Sequence, residues 1–222
     1  MQKKSFPVRE GADSRQRVLG RPREFDRDVA LHKAMRLFWV RGYEATSISD
    51  LTETMGIGTK SLYAAFGSKD ALYSEALHLY STTHEELVLG RFRKCTTARE
   101  AVLAFLQDSA RAMTGSDSDL PHGCMVNLGF VGSDGHVELS ELMKAARSGA
   151  FEILKARFEK AVVEGDLPSS IDVSKLARFV QTVQSGMAIR ARDGADRADI
   201  EAVAEFAMAG WDGMTSRRQL AG

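Results

Sequence analysis

Three glycines, Gly42, Gly56 and Gly67, cut the stretch Asp26–Leu77 into short segments of helical period, and this punctuation constrains the fold more than any other feature. Asp26 stands where a helix N-cap belongs, and Ala30, Ala34, Leu37, Phe38 and Arg41 follow at helical spacing until Gly42. Ser47 opens a second, shorter pattern with Ile48, Leu51 and Met55 on one side, closed by Gly56. A third runs from Gly58 or Thr59 to Phe66, with Leu62 and Phe66 one turn apart, and stops at Gly67. Short polar side chains satisfy the orphan N–H groups at helix starts, and glycine accepts the left-handed conformation that ends many helices. Three such helices, the last two joined by a tight glycine turn, make a helix-turn-helix, the arrangement that places one helix in the DNA major groove.

Charge supports that reading. The 222-residue chain is neutral overall, yet residues 1–70 carry 13 Lys and Arg against 9 Asp and Glu, and residues 71–222 carry 17 against 21. Much of the excess lies in residues 1–23, where seven cations face only Glu10 and Asp13, as expected of a flexible basic arm beside a polyanion. Within it, Leu19-Gly20-Arg21-Pro22-Arg23 is narrow, extended and cationic, so Arg21 and Arg23 are candidates for an A·T-rich minor groove, with a plain basic linker as the alternative. No stretch approaches the roughly 18 apolar residues of a membrane helix. The N-terminus lacks the apolar run of a secretory signal, so a cytoplasmic protein without membrane partners is expected. Cys95 and Cys124 have no CxxC or Cys/His spacing, which argues against a disulfide framework or a structural zinc.

Beyond the block, helical period recurs and strand alternation does not, and no proline falls between Pro22 and Pro121. The fold class is all-α. Ser68 caps a fourth helix running through Leu72, Ala76, Leu79 and Leu87 toward Arg93. Further helices are expected at 97–114, 124–131, 137–164, 173–191 and 198–214. The domain division is a basic arm at 1–23, a helix-turn-helix unit at 24–70, a second helical domain at 71–215 and a tail at 216–222.

If Leu62 and Phe66 face inward, the opposite side of the third helix presents Thr59, Lys60 and Tyr63, with Ser61 on the same turn. Thr59 can hydrogen-bond a base edge or touch a thymine methyl, and Lys60 can reach guanine O6 and N7. The ordered set Ala34, Leu37-Phe38, Gly42-Tyr43, Thr46-Ser47-Ile48, Leu51, Gly56-Ile57, Leu62-Tyr63, Phe66, Ser68-Lys69 and Leu72 resembles the DNA-binding domain of the tetracycline-repressor (TetR/AcrR) family. The resemblance implies that Tyr63, Thr46, Ser47 and Lys69 lie against the sugar-phosphate backbone. Ala64-Ala65 departs from many relatives, which carry bulkier aromatic or His side chains before the Phe. Past residue 77 the likeness is architectural only.

In the resembling family the second half binds a small-molecule effector and dimerises. Candidate pocket residues are Phe105, Met113, Cys124, Met125, Asn127, Phe130, Met143, Phe151, Phe158, Phe179, Gln184 and Met187, which combine adaptable apolar groups with a few hydrogen-bonding ones. Cys124 is read first as a buried, inert thiol. The alternative is an activated one, since it opens a short helix near His122 and some similar regulators sense electrophiles through such a cysteine. Leu176, Phe179, Val180, Val183 and Met187 form one apolar stripe and Ile200, Val203, Ala207, Gly210 and Trp211 another, a pair suited to a homodimer interface, with burial inside the monomer as the alternative. No glycine-rich phosphate loop, HExxH or GxSxG motif is present, so neither cofactor nor catalysis is expected. The expected function is a repressor released from a palindromic operator by a small, potentially electrophilic effector. An activator of the same fold, a helical Cys-dependent enzyme and a protein-interaction module are the alternatives.

Overall fold

The computed structural model describes residues 25–115, 120–129, 131–132 and 134–216. Among them the regular structure is helical: α1 (Arg27–Arg41), α2 (Ile48–Met55), α3 (Thr59–Phe66), α4 (Lys69–Leu89), α5 (Ala98–Met113), α6 (Met125–Leu128), α7 (Val137–Val163), α8 (Val173–Arg192), α9 (Arg197–Ala209) and α10 (Trp211–Thr215). The sequence signals have physical counterparts at the helix ends. Asp26 accepts from the N–H groups of Asp28 and Val29. Ser47 and Asp50 form a reciprocal capping box, as do Thr97 and Glu100. Gly56 ends α2 at φ 71°, a left-handed conformation that glycine reaches without strain, and so sets the turn into α3.

Two apolar clusters organise the chain. In the first, Ala34 and Ala76 are small enough to bring α1 and α4 close, with Leu51, Leu62 and Leu72 fully enclosed beside them. Phe38, Tyr43 and Tyr73 meet edge-on or stacked at 4.9–6.4 Å. Met125, Val131, Leu139 and Met143 from the second half also enter this cluster. The second cluster surrounds α5, whose Ala101, Val102, Phe105, Leu106 and Ala110 pack on Leu154, Phe158, Ala177, Val180, Met187, Ile200 and Ala204. Gln184 donates to the Ser109 hydroxyl at 3.0 Å, satisfying two polar side chains inside that core.

The guanidinium of Arg192, at the end of α8, binds the two halves together. It donates to the Trp39, Val40 and His122 carbonyls at 2.5, 3.1 and 3.3 Å, so a cation occupies the negative end of α1.

Three boundaries differ from the sequence expectation. Helix α4 ends at Leu89 rather than near Arg93, because a 3-10 turn, Phe92–Lys94, folds the Phe92 ring into the second cluster. The helix expected at 198–214 breaks at Gly210, where low helix propensity meets the burial of Trp211. The helix expected at 124–131 contracts to the four residues of α6.

Candidate nucleic-acid interface

Helix α3 divides by face as its spacing requires. Leu62 and Phe66 are buried, while Thr59 and Lys60 are exposed and Tyr63 retains 46% of its surface. Ser61 is half-buried at the edge of that face. Gly58 supplies no side-chain cap, so the start of α3 presents main-chain N–H groups and the positive end of the helix dipole to an approaching anion. The other end is fixed from behind by Arg27. Its guanidinium lies 4.4 Å over the Phe66 ring, donates to the Ala65 carbonyl at 3.3 Å and pairs with Glu75 at 2.7 Å. Arg27 of α1, tied to Glu75 of α4, therefore holds the end of α3 from behind.

The start of α2 is already occupied. The Ser47 hydroxyl donates to Asp50 Oδ2 at 2.6 Å and accepts from the Asp50 N–H, while Arg41 pairs with Asp50 Oδ1 at 2.8 Å. Hydrogen bonds from Ser47, reinforced by Arg41, hold the Asp50 carboxyl down at about 2. Ser47 is exposed, but a phosphate there shares it with a carboxylate.

Thr46 requires a correction. Its side chain is 0% exposed and its hydroxyl donates to the Gly42 carbonyl at 2.6 Å. It closes the turn between α1 and α2 and has no free surface to offer a phosphate. Threonine side chains readily bond nearby main chain in this way, which the sequence pattern does not separate from an outward hydroxyl.

Lys69 stands on the first turn of α4, partly buried, with Nζ 4.0 Å from the centroid of the Tyr43 ring. Burial draws its pKa below the ordinary value, against opposing pulls from Glu44 and Asp70. Its position is set by Tyr43, a residue expected only as part of a motif. Arg21 and Arg23 lie outside the described residues.

The expected pocket residues divide. Phe105, Met113, Phe158 and Met187 are packed in the second cluster, and Met125 and Met143 in the first. Gln184 is committed to Ser109, and Asn127, half-buried, approaches the Cys124 sulfur through its main-chain N–H at 3.5 Å. Phe151 lies beneath the Arg178 guanidinium at 4.8 Å, in a cleft of about 420 Å³ between α7 and α8 that Lys144, Arg147 and Gln181 also line. Phe179, expected both as a pocket residue and in the interface stripe of α8, is 38% exposed on that helix. Phe130 lies outside the described residues.

Cys124 caps α6, and its sulfur lies 3.2 Å from the Tyr80 hydroxyl. Burial pushes the thiol pKa up, outweighing the hydrogen bond from Tyr80, so the lowered pKa of an activated thiol is not what this site produces. Cys95 and Cys124 are both free thiols. Among the described residues no helix is long and apolar enough to cross a membrane.

Residues 30–76 match the model of the bacterial regulatory proteins of the tetR family. Over 197 residues the chain is 32% identical to the HTH-type transcriptional repressor ComR of Escherichia coli K12, covering 86% of this chain and 91% of ComR. The chain belongs to the TetR family. The HTH-type transcriptional repressor BdcR of the same organism is 30% identical over 180 residues, 80% of this chain and 85% of BdcR. Among solved structures, a cysteine mutant of the TetR family regulator CifR, complexed with a 26-bp double-strand operator DNA, superposes with a TM-score of 0.82 at 37% identity. It covers 86% of this chain and 100% of that one. Membership in a family of transcriptional regulators fits an α3 whose Thr59, Lys60 and Tyr63 face outward while Arg27 fixes its far end.

Proposed function

We propose that this TetR-family regulator is a homodimeric, cytoplasmic repressor that binds a partly palindromic operator through α3 and releases it when a small molecule binds the second domain. The carrying observation is the face of α3, where Thr59, Lys60 and Tyr63 project from a helix whose opposite side is fixed by Leu62, Phe66 and Arg27. Thr59 and Lys60 read base edges, while Tyr63, Ser61, Ser47 and Lys69 grip the backbone. Residues 24–70 act as the reading unit, 71–215 as the regulatory and dimerising unit. ComR and BdcR are named as repressors, and the CifR structure contains operator DNA, which supports the same role here. The role is regulatory rather than catalytic, as membership in a family of regulatory proteins and the similarity to named repressors support.

Two copies are joined through α8 and α9. Of the two stripes expected there, Leu176, Val180, Met187, Ile200 and Trp211 are buried in the chain's own second cluster, so the joining surface is instead the exposed Phe179, Ile189, Val203 and Phe206, Phe206 to 83%, since large exposed apolar side chains gain most from burial against a symmetry mate. Two-fold symmetry places two α3 helices one DNA turn apart. Effector binding favours a dimer whose reading helices are spaced wrongly for successive major grooves, so operator and effector weaken each other reciprocally.

A second reading makes the effector an electrophile that alkylates Cys124. Its support is a route: the sulfur touches Tyr80, and the Tyr80 ring meets Trp39 of α1 edge-on at 4.8 Å. The primary test is a binding titration of the full-length protein against a duplex recovered by selection from a random pool and against an unselected duplex. Selective binding that weakens with salt is expected, and equal affinity for both duplexes would overturn the function. For the second reading, release by an alkylating agent that persists in Cys124→Ser removes the electrophile route.

A further inference from the structure

The loop before α7 reaches back to the reading unit at two places. The Gly132 N–H donates to Glu44 Oε1 at 3.0 Å, and His136, the residue preceding α7, places Nδ1 2.8 Å from Asp70 Oδ2. The other carboxylate oxygen of Asp70 accepts from the Tyr43 hydroxyl. Because the single phenolic proton is committed to Asp70, the 3.3 Å approach of Tyr43 to His136 Nδ1 is a close packing of the triangle. With an ionised carboxylate as acceptor, Nδ1 must carry its proton. The protonation states are consistent. Burial and the adjoining Asp70 push the Tyr43 pKa up, so it remains a donor; burial would raise Asp70, but the bonds from Tyr43 and His136 outweigh it and keep the carboxyl ionised.

The triangle ends on a DNA-facing group. Tyr43 is buried, with its ring 5.1 Å from the His136 ring, and the same ring carries the Lys69 ammonium at 4.0 Å. The order is His136 to Asp70, Asp70 to Tyr43, Tyr43 to Lys69, and it joins the start of α7 to the first turn of α4 and the end of α1. His136 makes no cap bond to α7, so its imidazole is committed to the other half of the chain. A cleft of about 710 Å³ between the starts of α4 and α7, lined by Asp70, Ser74, His136 and Glu138, leaves the pair accessible to water.

We propose that His136 is a positioning residue for operator binding: through Asp70 and Tyr43 it holds Lys69 and the start of α4 in their DNA-facing arrangement, and movement of α7 that breaks this clasp lowers operator affinity. The proposal rests on the operator-binding reading. It goes beyond that reading by assigning a reading-head function to a residue of the second domain.

The test uses the full-length protein, the selected duplex and an unselected duplex. Because the His136–Asp70 pair is partly exposed, His136→Ala is expected to weaken operator binding by about threefold to fivefold. His136→Gln, which retains a donor able to reach Asp70, recovers most of the loss. In a Lys69→Ala background, adding His136→Ala costs less than about twofold, whereas in a Lys60→Ala background the full loss persists, since groups acting in one chain are non-additive and separate ones add. Asp70→Asn, as an independent cut, is non-additive with His136→Ala. Unchanged affinity in both His136→Ala and Asp70→Asn would overturn the clasp, as would a His136→Ala loss of the same size with and without Lys69. Failure of the operator reading has a different signature: wild type and Lys60→Ala would then bind both duplexes alike.

Discussion

Thr46 separates two accounts of the turn between α1 and α2, and Thr46→Val is the perturbation that decides between them. The substitution preserves volume and branching but removes the hydroxyl that donates 2.6 Å to the Gly42 carbonyl from a fully buried side chain. A buried acceptor left without its donor costs about 1–3 kcal/mol; Gly42 is only half-buried and can recover some hydration, so about 1–2 kcal/mol is expected. For a chain of this length that corresponds to a fall of roughly 2–8 °C in the thermal midpoint. Thr46→Ser keeps the donor and loses one methyl group, at a cost of about 0.8 kcal/mol. The assay pairs thermal unfolding, at fixed protein concentration because dimerisation contributes to the midpoint, with operator titration well below that midpoint. If the hydroxyl serves the turn, Thr46→Val lowers the midpoint while operator affinity stays within about twofold. An unchanged midpoint with a fivefold or greater loss of affinity on selected and unselected duplexes alike would refute the structural assignment and restore the phosphate contact.

Lys60→Ala is expected to weaken the selected operator about tenfold or more while barely changing the unselected duplex, whereas Lys69→Ala weakens both and lowers the slope of log affinity against log salt by about one. Acid should loosen the start of α2: with the Asp50 carboxyl at about 2 in the fold and 3.8 as its ordinary value, its stabilisation is complete above about pH 4 and is lost as pH falls through 2. Asp50→Asn flattens stability against pH across that window, and an unchanged profile would count against the capping box. Phe206→Glu places a charge on the exposed apolar face of α9 and should shift sedimentation from dimer toward monomer without loss of helix content. Because burial raises the Cys124 thiol, iodoacetamide at neutral pH should label it roughly tenfold or more slowly in the folded protein than in denaturant, as read by mass spectrometry.

The reading unit was legible because its signals are local. Caps at Asp26, Ser47 and Ser68, the left-handed Gly56, and the four-residue spacing of Leu62 and Phe66 each act within one helical turn, so sequence order alone sets the three helices and the outward face of Thr59, Lys60 and Tyr63. Where a residue's role depends on a distant partner, order is silent. Thr46 has the same identity whether its hydroxyl turns toward phosphate or toward Gly42, and Phe179 reads as pocket or as surface until α8 is rotated against α5. The triangle of Tyr43, Asp70 and His136 spans 27 and 66 residues, and Arg192 reaches Trp39 across 153. Such contacts arise only when the packing of α1, α4, α7 and α8 brings the groups together. Local propensity and periodicity thus determined a helix-turn-helix unit with one outward face, and the tertiary structure decided which of its polar groups stay exposed and which are held by distant parts of the chain.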